Sequence, residues 1–224
     1  MKRFIRDNGL TLFFAGIFLL ALFGQALTGH AEQNNQLMTD GATPISLLRY
    51  LTSSDFAVDV AENWQSEYLQ FTLYIFATVW LVQRGSSESK PVDQVGLESE
   101  KDQKIGRYAD QDSPAWAKAS GLRLRIYSHS LVTVMSVIFL LSWLAQSIAG
   151  HVAFNEEATR QKEPTLSWLQ YIWSSDFWNR TFQNWQSEFL AVASMVAFAI
   201  YLRERGSPES KPVGTAHSAT GAEG

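Results

Sequence analysis

Two glutamates, Glu67 and Glu188, each close an Asn-Trp-Gln-Ser-Glu segment that leads directly into an apolar run, 68–82 and 189–202. A carboxylate about one turn inside a tryptophan that marks a membrane interface is costly to hold, and by default it marks a functional site. Two more pairs fall at comparable depth. Gln25 and Gln146 lie near the ends of the apolar runs 10–27 and 130–149, and His30 and His151 lie just beyond them. A Glu–Gln–His cluster has the chemistry to bind a cation or relay protons, because imidazole titrates near neutrality. The plainer reading is that Glu and Gln hydrogen-bond across helices and lock them together.

A second set follows the same apolar runs on their other side. Arg84, Ser86, Glu88 and Lys90 belong to one Arg-Gly-Ser-x-Glu-Ser-Lys-Pro segment, and Arg205, Ser207, Glu209 and Lys211 to another. Gly85 and Gly206 suit the position just past a helix C-terminus, and the basic residues suit anionic headgroups. Those roles leave the recurrence of Glu-Ser-Lys-Pro unexplained, which points to a docking surface for a protein partner. Trp168, Trp173, Trp178 and Trp185 read as interfacial anchors, with a ligand groove as the alternative.

No nucleophile elbow, phosphate-cradling glycine loop, HExxH pair or calcium loop occurs in the chain. No catalytic residue, metal site or cofactor is therefore expected, and the chain reads as a non-enzyme. Cysteine is absent, which removes disulfides and thiolate chemistry. A net charge of −4 argues against a nucleic-acid partner.

The elements that must position these residues are helices in a bilayer. Mean hydropathy is near zero, yet the chain alternates charge-free apolar runs with polar stretches holding nearly all its ionisable groups. The runs 10–27 and 130–149 are long enough to cross a hydrocarbon core of about 30 Å. The runs 68–82 and 189–202 are shorter, so those helices must carry their polar flanks into the membrane. The first run reads as an anchor rather than a cleaved leader, being longer than the usual leader core. Fourteen Lys and Arg fall on one side of the four spans and four on the other. That bias places both termini in the cytoplasm.

The chain also repeats itself. Gln25 matches Gln146, Gly29-His30 matches Gly150-His151, Ser53-Ser54-Asp55-Phe56 matches Ser174-Ser175-Asp176-Phe177, and the two motifs above match in full, every pair 121 positions apart. The expected organisation is a two-span repeat over 1–93, a flexible cytoplasmic linker over 94–121, a second two-span repeat over 122–213 and a disordered tail over 214–224. Two spans per unit make the repeats parallel, related by an axis along the membrane normal. Short amphipathic stretches at 44–51 and 166–173 should lie as helices in the outer interface. Ser53 and Ser174 should cap helices running on to Gly85 and Gly206. The fold class is thus an all-α integral membrane four-helix bundle with interfacial helices in its outer loops.

The pairing of N-W-Q-S-E-[FY]-L with R-G-S-x-E-S-K-P resembles an uncharacterised family of small bacterial membrane proteins in which two-span units carry these motifs. The resemblance implies the bacterial cytoplasmic (inner) membrane and brings no activity with it. Two functions are open: a structural or interaction protein of the envelope, and a small cation or proton transporter or channel using Glu67 and Glu188.

Overall fold

The computed structural model describes residues 2–221 and is all-helical, with no strand among them. In chain order the helices are α1 (Lys2–Asp7), α2 (Gly9–Thr39), α3 (Leu47–Leu51), α4 (Ser54–Trp80), α5 (Leu122–Ser128), α6 (Ser130–Gln161), α7 (Trp168–Tyr171) and α8 (Ser175–Tyr201), with one 3₁₀ turn at Gly106–Tyr108. Of the expected tail, residues 222–224 lie outside the described residues.

Two helices, α2 and α6, are long and apolar enough to cross a membrane, where four were expected. They are not buried core helices. None of α2's most apolar stretch is covered and only 17% of α6's is, so Leu10, Phe13, Phe14, Leu20 and Phe23 of α2 stand bare. The N-terminal half of α4 carries Asp55, Asp59, Glu62 and Glu67, and that of α8 carries Asp176, Arg180 and Glu188. These charges dilute the apolar runs behind them, and α4 and α8 fall short on composition rather than length.

Helix boundaries follow local chemistry. Ser53 Oγ accepts from the Phe56 N–H, and Ser174 Oγ from the Phe177 N–H, both at 3.3 Å. These are the expected N-caps, and Asp55 and Asp176 in the first turns complement the helix dipole. The other ends differ from expectation. Gly85 and Gly206 both have φ of +87°, but α4 and α8 have already stopped at Trp80 and Tyr201. The last helical bonds run from Leu81 to the Ala77 carbonyl and from Leu202 to the Phe198 carbonyl. Beyond them the N–H groups of Gln83 and Glu204 donate instead to Ser89 Oγ and Ser210 Oγ, at 2.8 and 2.9 Å. Each glycine then sits third in a four-residue turn, closed by Ser86 N–H to the Gln83 carbonyl or Ser207 N–H to the Glu204 carbonyl. Such a turn needs a positive φ there.

The short helices in the two loops are shorter than expected, at Leu47–Leu51 and Trp168–Tyr171. Ser46 and Ser167 cap them, each accepting a backbone N–H at 3.4 Å, so the helices cannot extend back over the residues before the caps.

The chain divides into two compact units. The first comprises Met1–Ala61 and Ala145–Phe177. Its core is built on the buried rings of Tyr50, Tyr171 and Phe177, with Val58, Leu37 and Ala158 around them. The second comprises Glu62–Leu144 and Trp178–Gly224. It encloses polar as well as apolar groups, among them Gln65, Thr181, Ser86 and Lys211.

Candidate functional site

In the first unit each expected histidine is used to hold its own loop. His30 Nε2 lies 2.7 Å from the Ile45 carbonyl oxygen. The same nitrogen lies 2.9 Å from Asn34 Nδ2. Asn34, one turn on, completes the clip: Nδ2 donates to the same carbonyl at 3.1 Å and Oδ1 accepts the Ile45 N–H at 2.7 Å. The same pattern recurs 121 positions on. His151 Nε2 is 2.8 Å from the Leu166 carbonyl, Asn155 Nδ2 donates to that oxygen at 2.8 Å, and Asn155 Oδ1 accepts the Leu166 N–H at 2.8 Å. In both places one ring nitrogen is committed to backbone.

Behind each histidine stands a glycine with a tyrosine hydroxyl against it. A Cβ on Gly29 would collide with Tyr50 Oη, and one on Gly150 with Tyr171 Oη. The glycines are there because the rings need the space. Tyr171 donates to Asp176 Oδ2 at 3.0 Å. Burial, with Asp59 and Asp55 nearby, pushes the Tyr50 hydroxyl above its ordinary pKa. Gln146 is wholly buried in this unit and Gln25 half-buried.

Glu67 and Glu188 belong to the second unit, on α4 and α8, close enough for their charges to act on each other. Glu67 is exposed and Glu188 half-buried. Around them, Gln70 Nε2 donates to the Glu188 carbonyl at 3.2 Å, and Trp185 Nε1 donates to the sealed Gln65 Oε1 at 2.8 Å. Arg180 pairs with Glu62 at 3.3 Å. Trp178 and Trp185 pack edge-on and tilted against Trp143 and Phe182 in one aromatic group. Trp168 instead belongs to the first unit, where it donates to Ser147 Oγ at 3.2 Å, and Trp173 there is largely exposed. Toward the other end of α4, Tyr74 donates to Glu88 Oε2 at 2.8 Å, and the two side chains line a cavity of about 260 Å³.

The Arg-Gly-Ser-x-Glu-Ser-Lys-Pro segments make equivalent knots. Ser86 Oγ accepts the Glu88 N–H and Ser207 Oγ the Glu209 N–H, at 3.1 and 3.2 Å. Lys90 Nζ donates to the Gly96 carbonyl at 3.1 Å and pairs with Glu98 at 2.7 Å. Lys211 Nζ, almost wholly enclosed, sits among the carbonyls of Gly85, Ala216, His217 and Ala219. The repeated lysine thus secures the chain about six residues downstream in both places. Arg84, Arg205 and Glu209 face solvent. The residues that sequence reasoning missed are Asn34 and Asn155, Tyr50 and Tyr171, and Ser89 and Ser210 in these ties. All three pairs keep the interval of 121, which is the signal that could have found them.

Fold and site together define an all-helical protein with two helices fit to cross a membrane and a set of paired backbone clips. The chain belongs to the family described as Domain of unknown function (DUF6766), whose model matches residues 1–222. No curated protein and no solved structure matches it.

Proposed function

We propose that this is a multi-pass protein of the bacterial cytoplasmic membrane, built from two tandem parallel two-span repeats, that acts as a structural or interaction protein of the envelope rather than as an enzyme. The four-span reading is supported by length. At 27 residues each, α4 and α8 reach about 40 Å as helix, enough to cross with their polar outer turns at the headgroups. The charge bias of the connecting segments supports cytoplasmic termini.

The observation that carries the structural role is where the recurring polar side chains are spent. His30, Asn34, Ser86, Ser89 and Lys90, with their counterparts 121 positions on, all bond to the chain's own backbone. That use rigidifies a scaffold. The residues left facing outward at the inner motifs, Arg84, Arg205 and Glu209, suit a protein partner at the cytoplasmic face.

One observation favours a second reading. Two like charges, Glu67 and Glu188, are kept together on α4 and α8, an arrangement that suits a cation or proton site. Proteoliposomes carrying a pH-sensitive dye and an imposed potential decide between the two. The scaffold reading expects no proton flux above protein-free vesicles. A flux that disappears in Glu67→Gln/Glu188→Gln would overturn it in favour of transport.

A further inference from the structure

The first unit holds an open cleft of about 940 Å³, walled by the 45–55 segment and the outer part of α6. None of the clips described above accounts for its charges. Arg49 is exposed, and among the described residues its guanidinium takes no hydrogen bond or ion pair. Arg160 Nε faces Asp40 Oδ2 at 3.4 Å, an ion pair without hydrogen-bond geometry. Two carboxylates share the same cleft, where Gln33 donates to Asp55 at 3.2 Å and Ser54 to Glu156 at 3.1 Å. An anion alone would meet the carboxylates, and a cation alone would meet the arginines. A ligand that carries both charges satisfies both walls.

Depth selects the kind of zwitterion. Gln33 and Val152 line the cleft six and three positions beyond the apolar runs that end at Leu27 and Ala149. At about 1.5 Å per residue that is roughly 9 and 5 Å, the level of the headgroups outside a hydrocarbon core. Leu37, Ile45 and Val152 add an apolar lining.

We propose that this cleft binds the headgroup of a zwitterionic phospholipid, its phosphate on Arg49 and Arg160 and its ammonium between Asp55 and Glu156. The planar guanidinium fork matches phosphate oxygens, and the carboxylates match an amine. The site rests on the membrane reading above.

Native mass spectrometry of the full chain in detergent tests it, with dilauroyl phosphatidylethanolamine, dilauroyl phosphatidylglycerol and water-soluble glycerophosphoethanolamine as probes. The ethanolamine lipid should be retained about tenfold better than the glycerol lipid. Arg49→Gln and Glu156→Gln should each lower its retention by a similar factor, with Arg49→Lys in between. Circular dichroism confirms that each variant is folded. Equal retention of the two lipids, or variants that bind like wild type, would overturn the proposal. Binding of glycerophosphoethanolamine as tight as that of the lipid would also overturn it, since the occupant would then be a soluble compound. Resistance of the chain to alkaline extraction from membranes is scored separately. A chain that resists extraction but shows no ethanolamine preference loses only this site, whereas an extractable chain loses the membrane reading as well.

Discussion

Tyr50 and Tyr171 are the largest side chains sealed from solvent, and each lies over a glycine that leaves room for its hydroxyl. A buried phenol that must stay neutral ties stability to pH. Burial and then Asp59 and Asp55 raise the Tyr50 pKa above 10.0. The unfolded chain therefore releases this proton at a lower pH than the folded one does. Below about pH 10 both states hold the proton and the contribution is complete. Above it the folded state binds more protons, so stability falls as pH rises, by up to about 1.4 kcal/mol per unit within the window. The thermal midpoint of wild type in detergent should drop between pH 9 and 11 more steeply than that of Tyr50→Phe. Parallel curves would mean the hydroxyl is not held as described. At this scale the sequence shows its histidines and glutamates readily, because ionisable groups beside apolar runs stand out. It conceals Asn34 and Asn155, whose partners lie eleven residues downstream in an irregular loop, where no periodicity records the pairing.

Helix ends show where local chemistry decides. After α2 the chain closes with Gly41 at φ +75°, its N–H on the Met38 carbonyl and that of Ala42 on the Leu37 carbonyl, a Schellman pair. After α6 the same bonds form from Lys162 to Thr159 and from Glu163 to Ala158, but Lys162 takes the left-handed conformation at φ +59° without being glycine. A side chain there costs roughly 1 kcal/mol. Lys162→Gly should therefore stabilise the protein by about 0.5–1 kcal/mol, read as a higher thermal midpoint with unchanged helicity, whereas Gly41→Lys should lower the midpoint by a similar amount. Caps were legible in advance, since Ser53 and Ser174 stand before Asp-Phe just as an N-cap should. The stops of α4 and α8 were not. A glycine with positive φ serves a helix C-terminus and a free-standing turn equally well, and only the distant hydroxyls of Ser89 and Ser210 distinguish them.

For the molecule as a whole, the apolar runs made the all-helical class and two membrane-fit helices plain in the sequence. The character of α4 and α8 was harder to read because polar and apolar halves share one continuous helix. Glu67 and Glu188 sit where those halves meet, and their effect on stability separates the two functional readings. If the glutamates are structural, each charge must be repaid by hydrogen bonds that a neutral amide reproduces poorly, and Glu67→Gln/Glu188→Gln should lower the thermal midpoint in detergent. The geometry argues the other way. Glu67 is exposed, its neighbour across α4 and α8 is another carboxylate, and Gln70 donates to the backbone carbonyl of Glu188 rather than to its side chain. Removing the pair relieves like-charge repulsion worth about 0.2–0.5 kcal/mol for partly solvated groups. The double variant should therefore melt at or slightly above the wild-type temperature, with each single variant recovering much of the gain. That outcome would show two charges kept at a cost to the fold, as functional groups often are, and would make the flux measurement on the same variant the one that assigns the site. A clear fall in midpoint would instead return both glutamates to the scaffold.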